Sequence, residues 1–572
     1  MKRFLFSAFF FSLFTITQAK TQDVFSNTWY CVDGLGRTVA NVEDGSAPSM
    51  SREDALIGIF YYVWHGQHGT EIKDITALLD SSVDNPHWGD AGMFHWGGQP
   101  ALGYYKGGDS FIISKHMQML IDAGIDFYFF DVTNAFTYDD IIRKVMAEVD
   151  RRQSLGLRTP KLAFVTHSAT AKTVTSLYNT FFSKPEYDKY WFKWEDKPLI
   201  LVEKKDWKNV APDIRKHFTA RYSWAWQTGK KEWPWLANTP QGFGYTLDTK
   251  GDTVIEQVSV ATAQHPYSKI GKSYHNGQEP AINAYGLCKE TPYGYYFQEQ
   301  WDRALSVRPK VVMVTQWNEW MAQRFIIEKA EQLNLIRPGA QAKIGETYFV
   351  DVYNQEFNRD IEPSAEPLIQ DNYYLQLVSN IRRFKGVSPF AVLRADKRIN
   401  IKGSFSQWDD VTSSYCDESG DCQFTSITAQ KPETFERKTN DIVLCKVVRN
   451  KNELFFYVKS DSLLVPASAK THWMTLFLNP DGKYDMGWHG YRYLVENGWL
   501  YRYDNGWQKV KRVKFQVGGK ELMLSLNARD INYQNRHLDF KWVDNVPKEN
   551  LNIMDFYGNG DVAPNGRFNY RY

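Results

Sequence analysis

One acidic residue of this chain follows a continuous apolar run and stands between two tryptophans. The run begins at Val311, and the polar stretch after it contains Glu319 between Trp317 and Trp320. A carboxylate beside indole rings is partly desolvated, which raises its pKa and suits it to proton transfer. Aromatic faces next to hydrogen-bonding groups are also how proteins hold sugar rings. The stretch therefore indicates a carbohydrate-processing site in which Glu319 is a catalytic carboxylate.

Cleavage of a glycosidic bond requires a second group, and carboxylates serve both as proton donors and as bases or nucleophiles. Two acidic residues that end candidate strands, Asp131 and Glu203, could complement Glu319. For Asp131 and Glu203 the alternative is a structural ion pair. For Glu319 the alternative is a bond to an arginine that ties together the rim of the fold.

Polar and aromatic residues at other strand ends and in a long early loop are candidates for binding sugar. They are Trp64, His65, Trp96, His167, Trp226, His265, Trp317, Asn318 and Trp320. Three of the histidines could satisfy a zinc ion, but they occur singly and without HxxxH spacing, so hydrogen bonding to hydroxyls is favoured. No nucleotide-binding fingerprint stands in a fitting context. We expect no metal and no cofactor.

The elements that must position these residues follow a repeating order. From about residue 55 to 320, β-rich runs alternate with amphipathic helical stretches, which is typical of βα units. The candidate strands are residues 57–64, 127–132, 161–166, 198–203, 220–226, 243–247, 257–263 and 310–316. Eight such parallel strands would close a barrel, whose strand carboxyl ends carry the chemistry. The predicted fold is α/β: a (β/α)8 TIM barrel over residues 55–385.

The pattern of predicted secondary structure changes after a domain boundary near residues 385–400. Short strands and turns without helices follow, and they predict a C-terminal antiparallel β-sandwich over residues 397–572. The strands expected there are residues 442–448, 454–459, 474–478, 522–526 and 538–542.

The amino-terminal residues predict a targeting segment. A basic start, an apolar core and a small-residue cleavage site make residues 1–19 a signal peptide, followed by an N-terminal extension over residues 20–54. We therefore expect an exported protein, periplasmic or secreted, without membrane insertion. The formal net charge of +2 argues against a nucleic-acid partner. We expect a monomer, and among its five cysteines Cys416 and Cys422 are the best disulfide pair, with Cys445 as competitor.

Three segments together resemble the glycoside hydrolase family 71/99-like barrels of Bacteroidota. They are residues 59–64, 129–131 and, most specifically, the run Trp317-Asn318-Glu319-Trp320, and the resemblance spans roughly residues 55–365. It implies hydrolysis of an α-linked polysaccharide or oligosaccharide.

This sequence departs from the family pattern at the second acid. Family 99 enzymes place a His-Glu pair after Asn-Glu-Trp, whereas Met321 and Ala322 stand there in this chain. The run Asp360-Ile361-Glu362-Pro363, about forty residues later, is similar to the close of the family motif. If the insertion loops out, Glu356 would return near the position of the missing acid.

The C-terminal segment is similar to family 9-like carbohydrate-binding modules. Residues 399–403, leading to Trp408, resemble their opening, and residues 555–561 resemble their close. Two other functions stay open. One is a non-catalytic glycan-binding protein, and the other is a polysaccharide lyase, which would need a tyrosine or histidine base.

Overall fold

The computed structural model describes residues 26–572 except residues 50, 51, 53, 70, 83–84, 266–269, 280–287, 330–342, 351–353, 389–395, 423, 427–432, 436–439 and 535. The predicted signal peptide lies outside the described residues, so export stays a prediction. Within the described ranges, no helix combines the length and apolarity needed to cross a bilayer.

The first part of the chain alternates strands and helices, as expected from its pattern. Its strands are β1 (Leu56–Tyr61), β2 (Phe94–Trp96), β3 (Phe127–Asp131), β4 (Lys161–Val165), β5 (Lys193–Trp194), β6 (Lys197–Val202), β7 (Thr219–Tyr222), β8 (Gly229–Lys230), β9 (Gly244–Leu247), β10 (Thr253–Val260), β11 (Val311–Val314), β12 (Met321–Ile326) and β13 (Thr347–Phe349). Its helices are α1 (Ile75–Ser81), α2 (Ser110–Ala123), α3 (Asp139–Ser154), α4 (Thr170–Leu177), α5 (Lys204–Trp207), α6 (Pro212–Arg215), α7 (Tyr295–Val307) and α8 (Asn372–Lys385). Short 3-10 turns cover Ser26–Thr28, Pro185–Tyr190 and Thr291–Tyr293, and one π-turn covers Tyr178–Phe182.

A ten-stranded sheet is the centre of this part. Its order is β5-β6-β4-β3-β1-β11-β10-β9-β8, with β7 beside β6. The ladders from β7 through β6, β4, β3, β1 and β11 to β10 are parallel, whereas β9 is antiparallel to β10. Because the central strands run the same way, their carboxyl ends meet at one edge of the sheet.

The expected closed eight-stranded barrel is not confirmed. The sheet is a curled, largely parallel half-barrel, and one isolated parallel bridge pairs Tyr222, the last residue of β7, with Glu232, which follows β8. The physical reason lies in residues 222–253, where short strands and loops replace two βα units and β9 folds back antiparallel on β10. A separate antiparallel sheet, β13-β12-β2, stands beside it.

Apolar side chains bury the central strands on both faces, as in other helix-covered parallel sheets. On β1, Ile57 and Ile59 pack outward against the helices, while Phe60 packs inward with rings of β3. Gly58 is required there, since a Cβ would lie 2.6 Å from the Phe127 ring. The central helices are capped in the usual way: the Asp109 side chain accepts a hydrogen bond from the backbone N–H of Phe111 at the start of α2.

The second part of the chain is antiparallel, as predicted. Its strands are β14 (Ser414–Cys416), β15 (Phe424–Ser426), β16 (Glu433–Phe435), β17 (Ile442–Asn450), β18 (Glu453–Ser460), β19 (Thr475–Asn479), β20 (Tyr493–Glu496), β21 (Trp499–Tyr503), β22 (Trp507–Arg512), β23 (Lys514–Gly518), β24 (Glu521–Asn527), β25 (Asp539–Asp544), β26 (Asp561–Ala563) and β27 (Tyr570–Arg571). A short helix, α9 (Asp555–Gly558), and 3-10 turns at Phe405–Trp408 and Ala528–Ile531 complete it. Two main sheets form, β14-β17-β18-β24-β23 and β22-β21-β20-β19-β25-β26, with β27 beside β25.

The expected disulfides do not form in this structure. Among the described residues, Cys422 and Cys445 are both free thiols, and neither is bridged to Cys416.

Buried charge pairs join the two parts of the chain. Asp371, which precedes α8, accepts three hydrogen bonds from Arg567, at 2.8, 2.9 and 3.2 Å, and one from the Tyr557 hydroxyl at 2.7 Å. Both charged side chains are almost fully buried. A buried carboxylate depends on its cation, because each charge alone has lost its hydration.

We expect Arg567→Leu to destabilise the protein by about 3–5 kcal/mol, because it leaves Asp371 buried without a cation. The free energy of unfolding in urea measures this loss. Lys216→Leu is the control, since the Lys216–Asp213 pair is 77% and 96% exposed and should contribute less than about 1 kcal/mol. Equal effects of both substitutions would contradict this account of the junction.

Candidate active site

A cavity of about 310 Å³ opens at the carboxyl ends of the central strands. Its walls combine indole rings with a small number of charged and polar side chains. The lining residues are Phe60, Tyr62, Trp64, Asp131, Thr133, Asn134, Trp224, Ala225, Trp226, Trp235, His265, Glu319, Val350 and Arg359. Such a mixture of apolar surface and a few convergent polar groups is typical of a small-molecule site.

Two carboxylates reach this cavity from strands on either side of β1. Asp131 is the last residue of β3, and Glu319 follows β11 by a short bend. Because β3 and β11 are both hydrogen-bonded to β1, their axes are roughly 9.6 Å apart, which is two strand spacings. The sheet therefore brings Asp131 and Glu319 to the same cavity, as the sequence predicted for strand ends.

Glu319 is held by two donors. Its Oε2 accepts hydrogen bonds from the Gln316 side-chain amide and, at 2.9 Å, from Arg359 Nη2. Both ion-pair partners are at least 96% buried. The guanidinium stabilises the negative charge that burial would otherwise disfavour. Glu319 is thus a fixed carboxylate paired with an arginine, which is the bond that the sequence left open as its alternative role, and its catalytic role stays a prediction.

Arg359 lies on the segment that follows the insertion of about forty residues after Trp320 and that comes back to the end of β11. The Glu362 N–H donates to the Trp317 carbonyl at 3.1 Å, so this segment runs directly beside the end of β11. The return that the sequence suggested therefore does occur.

Glu356, the acid expected from the same segment, is not among the residues that line the cavity. It is buried elsewhere, where it accepts hydrogen bonds from the Ser273 N–H at 2.7 Å and the Thr291 hydroxyl at 2.6 Å. Its catalytic role stays a prediction, and the residue that the return segment delivers to Glu319 is Arg359.

Asp131 has a different environment. Its Oδ1 accepts a hydrogen bond from the Thr133 N–H at 2.8 Å, which fixes the turn after β3. The residue is 8% exposed, so its carboxyl group is mostly shielded from water while it still lines the cavity.

Four indoles shape the cavity, and their rings contact one another and the charged groups. Trp224 and Trp235 meet edge to face at 5.7 Å, and the Arg359 guanidinium lies 6.0 Å from the Trp235 ring. Trp64 packs on Tyr62 at 4.9 Å. These contacts orient the rings as walls.

Trp226 has a backbone conformation that bulky residues rarely adopt. Its φ is 62°, and its indole N–H donates to Gln264 Oε1 at 3.1 Å. Strained backbone of this kind is concentrated at functional sites. The structure places Trp226 in the cavity wall, and its role in binding stays a prediction.

The predicted histidines have different locations. His265 lines the cavity beside Trp226, with ring centroids 6.4 Å apart. His167 is not among the lining residues, but its ring stacks on the lining residue Trp224, with centroids 3.5 Å apart. His65 is fully buried between the rings of Trp96 and Tyr105, at 5.4 and 5.1 Å.

Several other predicted residues lie away from this cavity. Trp317 packs in the core against His116 and Tyr374. Trp320 donates from its indole N–H to Glu362 at 2.6 Å, and Trp96 belongs to the same apolar cluster as Trp320.

Asn318 and Glu203 satisfy backbone groups. The Asn318 side chain accepts from the Tyr62 N–H and donates to the Tyr62 carbonyl, at 2.8 and 2.9 Å. It therefore fixes the end of β1. Glu203 caps α5, where its carboxylate accepts from the backbone N–H of Lys205 and Asp206 at 2.9 and 2.6 Å.

Sequence reasoning missed several lining residues. Trp235 belongs to the run Trp233-Pro234-Trp235, whose aromatic density was one available signal. Arg359 stands directly before the Asp360–Pro363 run that the sequence singled out. An arginine there had no partner visible in the sequence, because Glu319 is forty residues away along the chain.

A larger opening of about 530 Å³ lies between the N-terminal extension and the C-terminal part. Two of its charged groups are engaged in structural pairs: Asp33 with Arg37 at 2.6 Å, and Arg567 with Asp371 at 2.8 Å. It is remote from the strand ends, so the cavity that holds Asp131 and Glu319 is the better candidate for chemistry.

Comparisons with known proteins give only distant similarity. No protein-family model matches the chain, and no curated protein matches it. Among solved structures, the chain is similar to the GH99 endo-α-mannosidase from Bacteroides thetaiotaomicron, with 14% identity, a TM-score of 0.34, and coverage of 58% of this chain and 97% of that chain. It is also similar to a protein described as glycoside hydrolase-like, at 11% identity and a TM-score of 0.31, covering 58% and 95%. A family 5 glycoside hydrolase from Bacteroides vulgatus follows, at 10% identity and a TM-score of 0.23, covering 90% and 97%. These values assign no activity.

The buried His65 predicts a dependence of stability on pH. Burial, together with the nearby His116, lowers the pKa of His65 to about 3, below its ordinary value of 6.5. The unfolded chain therefore binds a proton that the folded protein excludes, so stability is complete above about pH 6.5 and falls as the pH drops toward 3. At about pH 5 the loss from this residue is about 2 kcal/mol.

We expect His65→Gln to remove that part of the acid sensitivity, as measured by urea unfolding at about pH 7 and about pH 5. The exposed His87→Gln is the control and should keep the wild-type difference. An unchanged difference in His65→Gln would show that His65 is not the responsible group.

Proposed function

We propose that the cavity at the strand ends binds a carbohydrate and that Asp131 and Glu319 hydrolyse a glycosidic bond within it. The observation that carries this proposal is the presence of two carboxylates, from strands that flank β1, in one cavity walled by four indoles. Sugar rings have apolar C–H faces and polar edges, so they match indole walls with a few hydrogen-bonding groups. Paired carboxylates are the usual catalytic groups for this reaction.

We assign different roles to the two acids. The ion pair with Arg359 favours the charged form of Glu319, which suits it to act as a base, a nucleophile or a stabiliser of developing positive charge. Asp131 would then protonate the leaving-group oxygen. His265, which also lines the cavity, is a further group able to move a proton.

The substrate that we propose is an α-linked polysaccharide or oligosaccharide. This finer assignment rests on the resemblance of the Trp317–Trp320 run to family 71/99-like barrels. The apolar segment near the amino terminus supports a location outside the cytoplasm, where such polymers are met.

A glycan-binding protein without catalysis is the second candidate. Neutralisation of Glu319 by Arg359 favours it, because a carboxylate committed to a buried ion pair is a weaker catalyst. The absence of Glu356 from the cavity lining favours it as well.

Activity on a panel of α-glycans, including anionic algal ones, tests the proposal. We expect the purified protein to release saturated reducing ends, and both Glu319→Gln and Asp131→Asn to lower kcat by about a thousandfold. On aryl glycosides with good leaving groups, which need no protonation, Asp131→Asn should regain activity and Glu319→Gln should not.

The exposed Glu186→Gln and Asp213→Asn are the controls and should retain full activity. Unsaturated products would identify a lyase instead. If the protein binds one or more glycans but releases no product from any of them, the hydrolase proposal is wrong and the non-catalytic binding function is supported.

The indole walls predict an effect on binding. In the Glu319→Gln background, which prevents turnover, Trp226→Ala should weaken glycan affinity about tenfold in calorimetry, because it removes a stacking surface. Trp207→Ala, a partly buried tryptophan outside the cavity, should leave the affinity unchanged. Equal affinity of Trp226→Ala and its parent would remove Trp226 from the binding site.

A further inference from the structure

Three buried aspartates meet where the C-terminal part contacts the first part of the chain. Asp417 and Asp421 lie on the loop after β14, and Asp561 begins β26. One carboxylate oxygen from each lies within 4.8 Å of the other two. The residues are 0%, 4% and 1% exposed, so water does not compensate for the clustering of their charges.

Two of these carboxylates have one oxygen that accepts a hydrogen bond and one that accepts none from the described residues. Asp421 Oδ2 accepts from the Gln118 amide of α2, and Asp561 Oδ2 accepts from the Ile442 N–H. The Oδ1 atoms of Asp421 and Asp561 are buried without a hydrogen bond from any residue that the structure describes. A buried carboxylate oxygen without a donor or a cation is strongly destabilising.

The cationic side chains near the cluster are few, and each of them also bonds another group. Lys115 Nζ is 3.9 Å from Asp421 Oδ2 and donates to Gln118 at 3.1 Å. Arg152 binds Glu418, and Lys541 donates to the Pro564 carbonyl.

A fourth carboxylate adds to the negative charge of this region. Asp441 accepts from the N–H of Gly420, the residue directly before Asp421, at 2.8 Å, and is itself buried. The carboxylates therefore outnumber the cations that face them.

We propose that Asp417, Asp421 and Asp561 bind a divalent cation of the calcium type. The donors are all carboxylate oxygens, which hard cations prefer. Two oxygens on opposite sides of a calcium ion are about 4.8 Å apart, twice a bond of about 2.4 Å, and this matches the span of the cluster. The sequence contains no calcium-loop spacing here, since Asp561 is far from the other two along the chain.

The cation would strengthen the junction between the two parts. Gln118 of α2 holds Asp421, and α2 leads directly into β3, the strand that ends at Asp131. This inference does not rest on the proposed function, because the cluster is separate from the cavity that holds Asp131.

Thermal unfolding of the purified full chain tests the proposal. We expect Tm to be about 3 °C or more higher in millimolar CaCl2 than in EDTA, and calorimetry to show one calcium bound per chain. Asp561→Asn and Asp421→Asn should each abolish the calcium-dependent shift.

Asp544→Asn is the matched control. Asp544 is equally buried and accepts from the backbone N–H of Asn440 and Met474, but it lies outside the cluster, so its substitution should lower Tm while keeping the calcium shift. If Asp561→Asn does not fold, Asp421→Asn and the wild-type stoichiometry still decide the question.

Three results would overturn the inference. They are identical melting in CaCl2 and EDTA with no heat of binding, a shift that survives in both cluster variants, or a shift that MgCl2 reproduces in full. The first two would mean that Lys115 and protonation of the carboxylates balance the charge, and the third would exclude calcium as the preferred ion.

Discussion

The ion pair between Glu319 and Arg359 is the interaction on which the candidate site depends. Neither charge is stable alone at this depth, so the end of β11 and the return segment must lie together for both to be buried. Glu362 reinforces this arrangement, since it accepts from Tyr105 at 2.7 Å, from Trp320 at 2.6 Å and bonds His116 at 2.9 Å. The orientation of the Glu319 carboxylate is therefore fixed by contacts that span the fold.

The aromatic residues are divided between core and cavity by the direction of their side chains. Neighbouring residues in extended chain point to opposite sides, so a chain that turns Glu319 into the cavity turns Trp320 into the apolar cluster behind it. Trp317 is directed into the main core by the bend that follows β11. The cavity takes its indoles from other segments, in particular Trp224, Trp226 and Trp235.

The C-terminal part is attached by buried charge and not by a flexible surface contact. The Asp371–Arg567 pair reaches α8, and the Arg152–Glu418 pair reaches α3. The N-terminal extension joins as well, because Arg571 binds Glu43 while it also holds Asp539. Pairs of this depth are costly to separate, so both parts are expected to unfold together.

The sequence by itself determined the local structure and the positions of the acids that end the strands. The runs near residues 57, 127, 161 and 311 became parallel strands, and those near 442, 454 and 522 became antiparallel ones, because apolar continuity and alternation reflect burial on two faces or on one. Asp131 and Glu319 were found because strand carboxyl ends share one edge. These features depend on neighbours along the chain.

Only the tertiary structure decided which distant residues meet. Closure of the sheet depended on how residues 222–253 pair, and the sequence pattern did not reveal that β9 would fold back on β10. The partner of Glu319 was Arg359 and not Glu356, and Asp561 met Asp417 and Asp421 across more than a hundred residues. Charges are paired by proximity in space, and a single sequence records proximity only along the chain.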